Sequence, residues 1–189
     1  MVDARIVQTT KALHTAIVDL ASKQPVSTIT VADVTRAAGI NRATFYSHAT
    51  SPGALLTAVI TPELDAIRAA DTAAREAAPD VDGAEITRRG VEKVVDHVVR
   101  YREMYRLALP DPLDASIHQA LAGHFETSSL QHISRLPEGT LPEGLSVHIA
   151  AGFFAHALVG AVEAWLGGKR TSRKTLLDTI VAMVPSWWQ

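Results

Sequence analysis

Between positions 42 and 48 the chain sets a guanidinium (Arg42), two methyl-bearing residues (Ala43 and Thr44), a phenol (Tyr46) and an imidazole (His48) in the run Arg-Ala-Thr-Phe-Tyr-Ser-His. The chemistry this set suits is recognition of a duplex nucleic acid. A guanidinium can bond a guanine bidentately, and threonine can touch a thymine methyl or a phosphate. Tyr46 and His48 suit phosphate oxygens, contacts that set register without reading sequence. Thr30 and Arg36, a little upstream, are further candidates for backbone contact. The plainer reading makes Arg42 and Arg36 solvated charges and Tyr46 a half-buried packing residue.

Such a set works only if something holds it outward. The stretch Thr30 to His48 reads as two short helices pinched at Gly39. Thr30 suits the N-cap of the first, and Asp33 suits its positive end. Val34 and Ala38, four apart, share the face that meets a core. Gly39 stops the helix where a left-handed residue is needed. Asn41 then caps a second helix from Arg42 to about His48, with Phe45 as its buried residue. Helix, glycine turn and short helix make a helix-turn-helix, whose second helix enters a major groove. An ordinary helical hairpin shares that pattern, so the rest of the chain has to decide.

Length and composition leave room for such a unit on a larger body. The 189 residues, 47% hydrophobic and 20% charged, suffice for one large domain or two small ones with a real core. With no cysteine there is no disulfide framework, thiolate site or thiol nucleophile, which agrees with a cytoplasmic protein. The start, Met-Val-Asp-Ala-Arg, lacks a secretion pattern. Net charge is −2. Residues 1–60 carry five basic against three acidic side chains, and the remainder 13 against 17, so a slightly basic head precedes an acidic body.

Helical periodicity runs through the whole chain, and no strand pattern emerges. A first helix spans 4–23, with Ile6, Leu13, Ile17, Leu20 and Ala21 on one stripe; Pro25 ends it. After the two-helix motif, Ser51-Pro52 opens a helix running to about Ala77, kinked or divided by Pro62. Ala78 to Gly83 is a breaker. A helix from Glu85 to about Leu107 follows, its apolar side formed by residues such as Ile86, Val94 and Val98. A run from Leu113 to Leu136 is expected to be interrupted near Gly123 or Thr127 to Ser129. Leu145 to Leu166 is the strongest helix; its histidines and Glu163 favour a buried element over a membrane span, so no membrane partner is expected. Ser172 caps a last helix from Arg173 to Val184. The expectation is an all-α chain of eight or nine helices.

At this point the chain resembles the tetracycline-repressor (TetR) family of transcription regulators. The resemblance is specific in residues 12–56: Ile29-Thr30-Val31, Ala38-Gly39-Ile40, the run Asn41 to His48, and the Leu55-Leu56 pair opening the connecting helix. Glu-Ala-Trp-Leu-Gly-Gly, ending at Gly168, is similar to the close of the family's penultimate helix. Departures stand at Thr35, Ala49 and Pro52, where the family usually has alanine, an aromatic residue and often a lysine; the last two imply a weaker grip on DNA. The resemblance implies a DNA-binding head over 1–50, joined by a long helix to an effector-binding and dimerisation body over 51–189. It implies a repressor held as a homodimer on a palindromic operator in double-stranded DNA and released by a small-molecule effector.

In the body, Gly152, Gly160 and Ala164 recur at spacings of four and eight, and small residues let another helix approach. With Leu176, Leu177, Ile180 and Val184 they read either as a four-helix dimer interface or as intramolecular core; the resemblance and the need for two half-sites favour the interface. Tyr101, Met104, Tyr105, His118, Phe125, Phe153 and His156 could line an effector pocket, with plain core as the alternative. The histidines form no metal-ligand spacing, and neither a cofactor nor a metal is expected. Nucleophile elbow, phosphate loop and dinucleotide fingerprint are all missing, so no catalytic residue is assigned. The competing reading is a helical small-molecule- or protein-binding module that has lost its DNA grip.

Overall fold

A computed structural model describes residues 4–77, 83–168 and 171–188, without the side chains of Gly83, Ala84 and Ile86. Among the described residues there are nine α-helices and no strand, an all-α chain. They are α1 (Ala4–Ala21), α2 (Val31–Ala38), α3 (Arg42–Tyr46), α4 (Pro52–Ala77), α5 (Gly83–Arg100), α6 (Arg102–Ala108), α7 (Ser116–Ile133), α8 (Val147–Gly167) and α9 (Arg173–Ala182). Single 3-10 turns cover Val26–Thr28 and Ser186–Trp188. The breaker expected at Ala78 to Gly83 lies, over 78–82, outside the described residues.

The chain folds as two compact units, residues 1–62 with 101–119, and residues 63–100 with 120–189. The first contains the expected 1–50 head and adds the start of α4, all of α6 and the start of α7. Leu13 and Ile17 of α1, Val34, Phe45, Leu56 and Ile60 are all fully buried in it. Ile6 is not part of that core: at 53% exposed it sits on the first turn of α1, whose buried positions begin at Leu13. Met104 and Tyr105 of α6 are fully buried as well. Asp111, just past α6, is fastened to the turn after α1. It accepts from Ser27 N–H (3.1 Å) and from Ser27 Oγ (3.0 Å). Burial works against its charge, but bonds from the Ser27 hydroxyl and from backbone N–H groups outweigh that, and its pKa lies below the ordinary carboxylate value.

The second unit packs α5, α8 and α9 around a core that includes Val94, Val98, Leu121 and Val159. Trp188 is buried with Ile133, Ala150 and Ala151, its ring 4.6 Å from that of Phe154. The helix α8 is long and apolar enough by composition to cross a bilayer. In the fold it buries Ala151, Ala155, Val159 and Val162 along one side.

Three helix boundaries differ from the sequence expectation. Pro62 does not divide α4, which continues to Ala77. The expected Glu85–Leu107 helix is broken at Tyr101, whose backbone (φ −110°, ψ 31°) leaves the helical basin. The interruption expected near Gly123 or Thr127 to Ser129 does not occur, and α7 runs unbroken. Neither glycine nor serine breaks a helix alone when tertiary packing supports it.

Candidate nucleic-acid interface

The short helix α3 is set by hydrogen bonds close in sequence. Thr30 caps α2 in a reciprocal box: its Oγ1 accepts from Asp33 N–H (3.2 Å), while Asp33 Oδ2 accepts from Thr30 N–H (3.1 Å) and from the Thr30 hydroxyl (2.6 Å). Gly39 follows at φ +68°, the left-handed basin where a side chain is strained. Asn41 Oδ1 caps α3, accepting from Thr44 N–H (2.8 Å) and the Thr44 hydroxyl (3.0 Å). Phe45 is fully buried beneath. The helix spans only five residues, and Ser47 and His48 form a turn rather than the further helical residues expected.

This leaves Arg42, Ala43 and Tyr46 exposed, with Thr44 and His48 partly covered. Arg42 Nη2 donates to Tyr46 Oη (3.2 Å), and the guanidinium lies 5.7 Å from the centroid of that ring. Tyr46 meets Phe45 edge-on at 5.5 Å, so the buried ring braces the exposed one. His48 Nδ1 lies 3.4 Å from Thr10 Oγ1 of α1. Next to it, the pKa of His14 is lowered by burial and by the neighbouring His48. Arg36 pairs with Asp33 (3.2 Å), and the Thr30 hydroxyl is engaged in its cap.

The second unit holds a cavity of about 70 Å³ lined from α4, α5, α7 and α8. Arg68, Asp71 and Arg75 come from one face of α4, and His124 and His132 from α7. Arg75 Nε donates to Asp71 (2.8 Å) and its Nη1 to His132 Nδ1 (3.1 Å). Because arginine only donates, His132 Nδ1 accepts, and its Nε2 therefore donates to the Trp188 carbonyl (2.7 Å). The indole N–H of Trp188 donates to Thr87 (3.3 Å). Burial lowers the pKa of both His124 and His132, that of His124 to about 4.

No family model matches the chain. Over 60 residues it is 45% identical to a Bacillus subtilis protein described as the uncharacterized HTH-type transcriptional regulator YxbF. That stretch is 31% of this chain and only 16% of that protein's length. Solved structures are similar over nearly the whole chain. A protein of Syntrophomonas wolfei described as a TetR-family transcriptional regulator superposes with a TM-score of 0.69 at 13% identity, over 93% of this chain and 92% of its own. The fatty acid degradation regulator FadR of Bacillus halodurans gives 0.62 at 14% identity, over 97% and 95%. FadR of Bacillus subtilis, solved with stearoyl-CoA, gives 0.63 at 14%, over 93% and 99%. The chain has the TetR fold.

Within this TetR fold the other expected site residues are dispersed. Of the pocket candidates, Tyr101, Met104, Tyr105 and His118 belong to the first unit, and Phe125, Phe153 and His156 to the second. Phe125 lines the cavity; Phe153 is 68% exposed and His156 is also exposed, because α8 turns them away from its buried side. Of the interface candidates, Leu176, Leu177 and Ile180 are already buried by one chain's own packing, α9 lying against α5 and α8. Gly160 and Ala164 are exposed, Gly152 and Val184 partly so. The apolar surface they join is made by Ile149 and Phe153, residues outside the expected interface set. Arg68, Asp71 and Arg75 were missed by sequence reasoning, although charges three and four apart on an apolar helix were a signal for them. Among the described residues no three His, Asp or Glu side chains gather at one point.

Proposed function

We propose that this chain is a DNA-binding transcriptional regulator of the TetR type, a cytoplasmic protein and not an enzyme, acting as a repressor. Its head, residues 1–50, reads a partly palindromic operator as one half of a homodimer. The observation that carries this reading is the outward Arg42–Tyr46 pair on a helix capped at Asn41 and seated on a buried Phe45. Arg42, Ala43 and Thr44 face base edges; Tyr46 and His48 take phosphates. Thr30 becomes a phosphate contact by turning its hydroxyl proton from Asp33 Oδ2 to a phosphate oxygen.

One such helix spans few base pairs, so specificity requires a second copy. The exposed apolar side chains Ile149 and Phe153 on α8, with the small Gly160 and Ala164 along the helix, suit that contact. An effector bound in the body changes operator affinity only through its differential affinity for two arrangements of the dimer. FadR of Bacillus subtilis with stearoyl-CoA supports a ligand-responsive body in this fold. The cavity here, about 70 Å³, is far too small for an acyl-CoA, since even benzene occupies a cavity of about 150 Å³.

The test is selection from a random DNA pool with the full chain, followed by gel shifts at varied salt. An enriched inverted repeat is expected, bound more tightly at low salt because phosphate contacts release counterions. The double variant Arg42→Ala, Tyr46→Ala should lose it. Retained binding would refute the site, and no enrichment would favour the helical module without DNA binding.

A further inference from the structure

His124 has no role in operator binding, yet its position is costly. The residue is 8% exposed, its Nδ1 is buried, and that atom has no hydrogen-bond partner among the described residues. Buried ring nitrogens are normally satisfied, so this one calls for a partner. His124 lines the 70 Å³ cavity, and Arg68 and Arg75 line it too, with Asp71 between them in sequence. Arg68 is paired with Asp65 (2.7 Å) and Arg75 with Asp71, so each charge is balanced, and what the wall offers an anion is the remaining N–H groups of the two guanidiniums. Arg75 is held in place by its bonds to Asp71 and His132, so its fork is oriented before any ligand arrives. The rest of the wall is largely apolar, with Val91, Val94, Phe125 and Leu158.

Size narrows the choice. The volume is under half of the roughly 150 Å³ that accepts benzene, which leaves room for one anionic group and one or two further carbons. From these observations we propose that the cavity binds a short-chain aliphatic monocarboxylate, its carboxylate shared by His124 Nδ1 and the arginine pair and its alkyl end on the apolar wall. As an effector this ligand rests on the regulator reading above; as a ligand it does not.

The electrostatics add a signature. Burial, and then the charge of Arg68, keep the His124 ring neutral at pH 7; Asp65 and Asp71 of α4 act the other way, and His97 of α5 adds slightly to the lowering. A carboxylate beside the ring favours its protonated form, so binding takes up a proton.

Calorimetric titration of the full chain with sodium propionate and with the neutral isostere propionamide tests this. Propionate is expected to bind, and propionamide at least about tenfold more weakly. Propionate affinity should rise as pH falls from about 8 to about 5.5, where the acid itself stays largely ionised. In His124→Gln the affinity should fall about tenfold or more and the pH dependence should vanish. Leu158→Phe, which fills the cavity from its apolar wall, should abolish binding in a chain whose thermal unfolding remains cooperative. Any of three results overturns the proposal: no propionate binding by the folded wild-type chain, equal affinity for propionamide, or a pH dependence that survives in His124→Gln. The titration contains no DNA, so its failure leaves operator selection untouched, and a failed selection leaves the titration intact.

Discussion

The helix-turn-helix and the cavity wall are both polar constructions on an apolar core, and their hydrogen bonds differ in reach. From Thr30 to Ser47 the capping bonds close within three residues: Thr30 with Asp33, Asn41 with Thr44, Ser47 with Thr44. Around the cavity, Arg75 and His132 are 57 positions apart, His132 and Trp188 56, and Thr87 and Trp188 101. Local bonds can form wherever the segment turns helical, whereas the distant ones exist only after the unit has assembled and closed long loops. The first region is therefore robust and redundant, and the second stands or falls as a cluster.

The contrast can be broken most sharply at Phe45, the residue that ties the local motif to distant core. Phe45→Ala should cost about 3–5 kcal/mol in denaturant unfolding, through a cavity under α3. A loss below about 1 kcal/mol would mean that the motif stands without its anchor.

Acid should expose the weakness of the second region next. The folded pKa of His124 is about 4, below its ordinary value of 6.5. Its contribution is thus intact above pH 6.5 and is lost progressively as pH falls toward 4, because the unfolded chain then binds more protons. The displacement corresponds to about 3 kcal/mol, and His97 and His132, also lowered by burial, act in the same direction. Thermal unfolding between pH 7 and about 4.5 should show the decline. A flat profile there would count against a buried neutral His124.

Asp111→Ala tests a long-range bond in the first unit. It removes a charged acceptor from the N–H and hydroxyl of the exposed Ser27, which water can partly replace, and should cost about 1–2 kcal/mol. The smallest effect belongs to a local cap: Thr30→Ala should cost about 1 kcal/mol, and less if Asp33 keeps its bond to the residue 30 N–H. Chemical denaturation of the two variants side by side sharpens the comparison, since the ranking reverses if local caps dominate.

Those same ranges explain what could be read in advance. The caps at Thr30, Asn41, Ser51 and Ser172 and the left-handed Gly39 were legible, because each rests on residues three to five apart. The break at Tyr101 was not, for no glycine, proline or side-chain cap marks it. It falls where the chain passes from one compact unit to the other. The pocket candidates Phe153 and His156 met the composition of a binding site but lie on the outward side of α8. Periodicity finds a stripe, and which stripe faces inward depends on the neighbours.

The sequence by itself determined the all-α character, the capped motif and the residues it can present, since helix periodicity and capping are properties of short segments. Only the tertiary structure decided that residues 101–119 join the head, that Leu176, Leu177 and Ile180 are covered within one chain, and that Arg68, Arg75 and His124 share a cavity. Each of those facts depends on residues brought together across dozens of positions. Burial and charge at such a place are set by the partners that packing supplies, and spacing along the chain carries no record of them.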